Sequence, residues 1–122
     1  MPSTTFLRML THTVGDVTTL RFRGSNLVLD EENAQRLRER LARLVQEGKR
    51  KIIIDLGVVY YLTSTGVETF LALHRLLKAD GGWLRLVNLT PPVVEIFSVL
   101  KLNDVLDLGL DCAGDEQPSP WQ

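Results

Sequence analysis

The first part of the chain alternates apolar and polar side chains in two short segments that a turn separates. Residues 6–13 and 17–23 alternate in part, which is typical of strands, and Gly15-Asp16 between them predicts a hairpin turn. Gly24-Ser25-Asn26 then interrupts the pattern. The sequence therefore predicts that the domain begins with a pair of antiparallel strands.

A helix and a buried strand are predicted to follow this break. Apolar residues recur every three or four positions over residues 34–45, with charged residues between them, which is typical of an amphipathic helix. Asp30 is the predicted N-cap of this helix, and Gly48 is its predicted end. The run Lys51–Asp55 is short and rich in β-branched residues, so it predicts a central strand.

The second half of the chain continues the alternation of helix and strand. A second helix is predicted to start near Ser64 and to end at Gly81-Gly82, and a strand is predicted over residues 83–88. Thr90-Pro91 has the form of an N-cap followed by a first-turn proline, which starts a third helix. Residues 105–108 can supply a last edge strand.

These elements together predict an α/β fold in which a mixed sheet of four to five strands packs against about three to four helices. Because a helix connects the strands that begin at residues 51 and 83, these two strands are predicted to be parallel neighbours. A chain of 122 residues has the size of one domain, which we place at residues 1–110. Residues 111–122 carry few apolar anchors and two prolines, which predicts a flexible C-terminal tail.

Composition and charge exclude several classes of function. The formal net charge of −1 gives no electrostatic argument for nucleic acid, because proteins that bind the phosphate backbone normally carry a basic surplus. No apolar run approaches the roughly 20 residues that cross a bilayer, and no signal-peptide pattern is present. The single cysteine, Cys112, excludes an internal disulfide, which fits a reducing compartment. We expect a small cytoplasmic domain without membrane insertion.

Three hydroxyl residues stand in a row at the predicted start of the second helix. Thr63, Ser64 and Thr65 are followed by Gly66, and such a cluster can cap the helix, bind an anion or be phosphorylated. Thr65 and Glu68 have the spacing of a capping box, so Thr65 is the better candidate for the capping residue. On spacing alone, capping is the favoured role of the cluster.

The short apolar stretch before the hydroxyl cluster carries two adjacent tyrosines. One of Tyr60 and Tyr61 is expected to point into the core. The exposed parts of the two side chains are candidates for an interface with another protein.

The remaining candidate chemistry is sparse. His12, His74 and Cys112 share no spacing of metal ligands, so neither a metal site nor a cofactor is predicted. Ser64, His74 and Asp55 have the composition of a catalytic triad, but the chain lacks a nucleophile-elbow motif. No acid–base pair supports an enzyme. The expected function is therefore binding and not catalysis.

Several pieces of the chain, taken in order, carry a resemblance to a known family. They are the strand end Asp55-Leu56, the turn Ser64-Thr65-Gly66, the break Gly81-Gly82, the strand end Leu86-Val87-Asn88, the helix opening Pro91-Pro92 and the segment Leu102-Asn103-Asp104-Val105-Leu106. In this order and spacing they resemble the core of a STAS domain, the fold of bacterial anti-sigma factor antagonists. The resemblance spans roughly residues 6 to 110 and implies the same α/β fold.

The resemblance also implies a phosphorylation switch. In that family the unphosphorylated antagonist binds an anti-sigma factor that is also a serine kinase, and this binding frees the sigma factor. Phosphorylation of the serine in an Asp-Ser-Ser/Thr-Gly motif ends the interaction. On this chain the matching serine is Ser64, with Thr63 and Thr65 as alternative phosphosites. The chain departs from the motif at Thr63, where the family has an aspartate.

The resemblance places the partner-binding surface at the hydroxyl cluster with Gly66, and at Asn26 and Asp30 in the segment after the first hairpin. That segment also departs from the family, which often has an acidic residue and Leu-Asp there, whereas this chain has Ser25-Asn26-Leu27-Val28-Leu29-Asp30. The expected partner is an anti-sigma factor with serine kinase activity. Direct binding of a nucleotide stays open, and no motif supports it. The alternative function is a STAS adaptor that is not phosphorylated, in a stress-signalling complex or on a membrane transporter.

Overall fold

The computed structural model describes residues 8–102 and the backbone of residues 107–108. Its strands and helices follow one another in the order β1 (Met9–Val14), β2 (Val17–Phe22), β3 (Leu27–Leu29), α1 (Glu31–Gln46), β4 (Lys51–Asp55), β5 (Val59–Leu62), α2 (Ser64–Ala79), β6 (Trp83–Val87), α3 (Pro91–Val99) and β7 (Asp107–Leu108). None of the helices in this part of the chain is long and apolar enough to span a bilayer.

A mixed five-stranded sheet in the order β1-β2-β4-β6-β7 forms the centre of the domain. β1 and β2 pair antiparallel through the predicted hairpin, whereas β2, β4, β6 and β7 pair parallel to one another. The register joins Lys51 to Trp83, which confirms that the strands beginning at these residues are parallel neighbours. The predicted α/β fold with a mixed sheet is confirmed.

β3 and β5 form a second, parallel sheet of two strands that the sequence analysis did not predict. The register shifts within it, so that Leu27 lies opposite Val59 and Val28 lies opposite Tyr61, while Tyr60 has no opposite residue. A bulge of this kind places two residues of one strand against one of the other and breaks the alternation of faces. Tyr60 and Tyr61 are consequently both exposed, by 54% and 49%, and the prediction that one of them points into the core is wrong.

The core lies on one face of the five-stranded sheet. Alternate residues of its parallel strands point to this face and are buried, namely Leu20, Ile52, Ile54, Leu84 and Leu86. The buried side chains of α1, α2 and α3 belong to the same apolar cluster, and they include Leu37, Leu41, Phe70, Leu77 and Phe97. All three helices therefore cover the same face, because successive right-handed crossovers in one direction place their helices on one side of a sheet.

The two ends of α1 and the start of α3 follow the predicted signals. The Asp30 carboxylate accepts a hydrogen bond from the Asn33 N–H at 3.0 Å and so caps α1. Gly48, after the end of α1, has a φ of +90°, which favours glycine. Thr90 is the N-cap of α3 and Pro91 its first residue, as predicted.

Some predictions concern parts of the chain outside the described residues. These parts are residues 6–7 of the first predicted strand, residues 105–106 of the last and the predicted tail at 111–122. Within the last strand, residues 107–108 pair with β6 as its parallel neighbour.

Candidate functional site

The hydroxyl cluster lies where β5 ends and α2 begins. Thr63 is the N-cap of α2 and has extended backbone angles, with φ −85° and ψ 176°. The first bond of the helix runs from the Val67 N–H to the Thr63 carbonyl at 3.0 Å. Since β3 and β5 are parallel, the start of α1 after Asp30 and the start of α2 after Thr63 lie at the same end of the two-stranded sheet.

The side chain of Thr63 is bonded to the end of β3 and does not cap α2. Its N–H and its hydroxyl both donate to the carbonyl oxygen of Leu29, at 3.0 Å and 3.2 Å. No side-chain hydrogen bond therefore caps the first turn of α2, whose leading N–H groups have no partner within the helix. The double contact with Leu29 fixes the residue at which the helix begins.

The predicted capping box of Thr65 and Glu68 is wrong. A capping box needs Thr65 as the N-cap, the residue before the helix. Thr65 is instead the second residue of α2, because the contact between Thr63 and β3 starts the helix two residues earlier. The Thr65 carbonyl accepts a hydrogen bond from the hydroxyl of Thr69 at 2.9 Å. Thr65 is half-buried in the first turn of α2.

Gly66 allows α2 to lie close against β3. A Cβ atom at Gly66 would lie 3.0 Å from the Leu29 carbonyl oxygen and 3.2 Å from the Cβ of Leu62, which is closer than ordinary van der Waals contact. Gly66 is buried. The glycine of the motif thus provides space for the helix start.

Ser64 is exposed and borders a groove of about 490 Å³ between the start of α2 and α3. Most of the lining is apolar, and Tyr61, Val99 and Leu100 in it are 49%, 72% and 50% exposed. Among the described residues that line the groove, Glu95 is the only charged one. Clustered exposed apolar side chains of this kind typically mark an interface with another protein.

Hydrogen bonds from the loops after β4 and β6 hold α3 beside this groove. The hydroxyl of Thr90 donates to the Val59 carbonyl at 2.7 Å, which joins the start of α3 to β5. The Asp55 carboxylate accepts from the Gly57 N–H at 2.8 Å and from the Asn88 side-chain amide at 3.1 Å. The position of α3, and hence the shape of the groove, depends on these loops.

The structure brings some of the other predicted site residues to the cluster and not others. Asp30 directly follows Leu29, the residue that Thr63 contacts, so it lies beside the cluster, although its carboxylate is used to cap α1. Asn26 is exposed, has a φ of +51° and lies before β3, at the opposite end of that strand.

The residues with the composition of a triad are not brought together. Ser64 and His74 are separated by ten positions of α2, about 15 Å along the axis at 1.5 Å per residue. The Nδ1 atom of His74 is buried and has no hydrogen-bond partner among the described residues. In the part of the chain that the structure describes, no group of three or more His, Cys, Asp or Glu side chains could hold a metal ion.

The side of the groove that α3 contributes was not predicted from the sequence. Only Val93 and Phe97 of α3 are buried, although most of its nine residues are apolar. α3 has more apolar residues than its contact with the core buries. This excess was the sequence signal for an exposed apolar surface. The excess includes Ile96 and Val99, which line the groove beside Ser64 together with Leu100, the residue after the helix.

Comparison with known proteins agrees with this geometry. The profile of the STAS domain family matches residues 8–113. The anti-sigma-B factor antagonist of Bacillus subtilis is 33% identical over 89 residues, which cover 73% of this chain and 81% of that protein.

Solved structures show the same fold. The crystal structure of an anti-sigma factor antagonist from Mycobacterium paratuberculosis has a TM-score of 0.72 at 20% identity, and the match covers 84% of each chain. The Bacillus protein SpoIIAA in its phosphorylated form has a TM-score of 0.63 at 20% identity, and the match covers 82% of this chain and 89% of that one. At this level of identity the two structures show a shared fold and nothing about function. With most of its length matched by the family profile, this chain belongs to the STAS domain family.

Proposed function

We propose that this protein is an anti-sigma factor antagonist whose partner is an anti-sigma factor with serine kinase activity, and that phosphorylation of Ser64 ends their binding in the cytoplasm. The relative from Bacillus subtilis is named an anti-sigma-B factor antagonist, and SpoIIAA has been solved in unphosphorylated and phosphorylated forms. The name of the relative from Bacillus subtilis supports this class of function for this chain.

The observation that carries the proposal is the position of Ser64. Its side chain is exposed at the first position of α2 and borders the apolar groove between α2 and α3. A kinase can reach an exposed hydroxyl, and a partner that covers Tyr61, Val99 and Leu100 would pack directly beside it. Thr63 is less suited as a phosphosite, because its hydroxyl is bonded to Leu29.

A phosphate on Ser64 would act on the interface and not on the fold. It adds a charge of about −1.5 to −2 and three strong acceptor oxygens. The first-turn N–H groups of α2, which no side chain caps, are suited to accept it without unfolding the domain. A partner in the groove would meet the added bulk and charge, next to the carboxylate of Glu95. A loss of about 3 kcal/mol would weaken binding more than a hundredfold.

One observation favours a second function, that of an adaptor that is not phosphorylated. Thr63 replaces the motif's aspartate, and its hydroxyl is used in the contact with Leu29. If the kinase needs that acid to orient Mg-ATP, Ser64 would stay unmodified and the apolar groove would bind its partner constitutively.

Intact mass spectrometry separates the two functions. The protein is incubated with ATP and the anti-sigma factor kinase encoded nearest to it, and the mass and the modified residue are determined. The proposed switch requires a gain of about 80 Da that maps to Ser64 and is absent in Ser64→Ala. Binding without this gain favours the adaptor, and a gain on Thr63 or Thr65 contradicts the assignment to Ser64.

Binding assays with charge variants test the switch itself. Ser64→Ala is expected to bind the anti-sigma factor as the native chain does, and Ser64→Asp at least tenfold more weakly. Ser98→Asp is the matched control, since Ser98 is an exposed serine of α3 that does not line the groove. Equal loss of binding in both aspartate variants would show a general effect of charge and would refute the switch.

A further inference from the structure

The face of the five-stranded sheet that points away from the helices carries a depression of about 760 Å³. Thr19 of β2 and Ile53 of β4 form its floor, and they are 8% and 4% exposed although none of the described helices covers them. β1 and β6 flank these two strands in the sheet, and Trp83 of β6 lines the depression on one side.

Side chains alternate between the two faces of a strand, and those that point to this face are mainly apolar. Leu10 and Val14 of β1 are exposed, lie four residues apart on the same face and line the depression opposite Trp83. Val17 continues the apolar lining on β2. A mainly apolar cavity of about 300–1,000 Å³ with a few polar groups is typical of sites for small molecules.

One cationic side chain lines this depression. Among the described residues of the lining, Arg21 is the one charged side chain, His12 adds an imidazole, and none carries a carboxylate. Neither side chain makes an ion pair or hydrogen bond with another described residue. Asp55 of β4 lies directly opposite Arg21 in the register. Its carboxylate oxygens accept hydrogen bonds from the Gly57 N–H and the Asn88 side-chain amide. An anion is therefore the charge complement of this surface.

We propose that this depression binds a small organic anion, with an apolar body against Ile53 and Trp83 and a carboxylate or sulfonate at Arg21. The site lies on the face of the sheet opposite the helices, whereas Ser64 lies at the start of a helix. It is thus a second site, independent of the proposed contact with an anti-sigma factor.

The test uses the full-length protein and the fluorescent sulfonate anilinonaphthalene sulfonate as the probe. Val14 is 66% exposed, so both Val14→Glu and Val14→Lys are expected to fold. The lysine variant is expected to bind the probe at least as tightly as the native chain, and the glutamate variant at least tenfold more weakly. Decanoate is expected to displace the probe at one tenth or less of the concentration that decanol requires.

Matched arginine variants test the anion contact. Arg21→Gln is expected to raise the Kd at least tenfold, whereas Arg38→Gln, at an exposed position of α1 away from the depression, is expected to leave it unchanged. Equal affinities of the two Val14 variants, or an unchanged Kd in Arg21→Gln, would overturn the proposal.

Two further measurements address other occupants of the depression. Neutralising Asp111, Asp115 and Glu116 together should leave the affinity for the probe unchanged; a tenfold gain would show that this acidic segment of the chain is the occupant instead. Light scattering should give the same mass with and without Val14→Glu. A dimer that this variant dissociates would mean that a second copy covers the face, and it would likewise overturn the proposal.

Discussion

Replacing Thr63 with aspartate tests the departure of this chain from the family motif. The change removes the hydrogen bond from the Thr63 hydroxyl to the Leu29 carbonyl, since a carboxylate has no proton to donate. A bond of this kind contributes about 0.5–1.5 kcal/mol. The Leu29 oxygen keeps its bond from the Thr63 N–H at 3.0 Å, so no acceptor is left unsatisfied and the lower end of that range applies.

The introduced carboxylate also stabilises the start of α2. It can accept a hydrogen bond from the first turn, which no side chain caps in the native chain. Its interaction with the positive end of the helix dipole contributes about 0.3–1 kcal/mol. We therefore expect Thr63→Asp to change the free energy of unfolding by less than about 1 kcal/mol, since the gain and the loss are of similar size. We also expect phosphorylation of Ser64 to become faster.

Urea denaturation at several pH values, with Thr63→Asn and Thr63→Val as controls, checks this account. The helix dipole lowers the pKa of the introduced carboxylate below its unfolded value of about 3.9, so its stabilising effect is present above that pH and is lost as the pH falls. At pH 7 the aspartate variant should be at least as stable as the valine variant. An aspartate variant that is less stable than the valine variant by more than about 1 kcal/mol would refute this account, because that difference exceeds the summed uncertainties of the two contacts. Equal phosphorylation rates in the aspartate and asparagine variants would show that the acid has no role for the kinase.

Three further outcomes are expected. Tyr61→Ala should weaken binding to the anti-sigma factor about tenfold, or about 1.4 kcal/mol, in calorimetry; Leu76→Ala, at a similarly exposed position outside the groove, should not. Gly82→Ala should lower the free energy of unfolding by about 1–3 kcal/mol in urea, because its Cβ would lie 1.9 Å from a backbone carbonyl oxygen; unchanged stability would contradict that contact. The ion pair with Lys51 at 2.9 Å lowers the pKa of Asp16, so an NMR titration should find this pKa higher in Lys51→Met, and an unchanged value would refute the pair.

Local signals in the sequence were sufficient for most of the fold. The hairpin, the N-cap at Asp30 and the first-turn proline at Pro91 depend on residues within a few positions of one another, and each was predicted correctly. The parallel pairing of β4 and β6 also followed, because the handedness and length of a crossover leave few alternatives.

The candidate site was predicted in part. The position of Ser64 at the start of α2 followed from the apolar period of the helix, and the structure places its side chain at the surface. The assignment of Thr65 as the cap failed, because the start of α2 is fixed by a contact between Thr63 and Leu29, residues 34 positions apart in the chain. Spacing along the sequence carries no information about such a contact.

By itself, the sequence determined most of the elements of this protein, β3 and β5 excepted, and the cluster Thr63-Ser64-Thr65 at a helix start, since both depend on neighbours along the chain. Only the tertiary structure decided the use of each hydroxyl. The pairing of β3 with β5 commits Thr63 to Leu29, and the same small sheet contains the bulge that leaves both tyrosines exposed. The packing of α3 beside α2 then forms the groove next to Ser64. These contacts join distant segments, and their geometry exists only once the chain has folded.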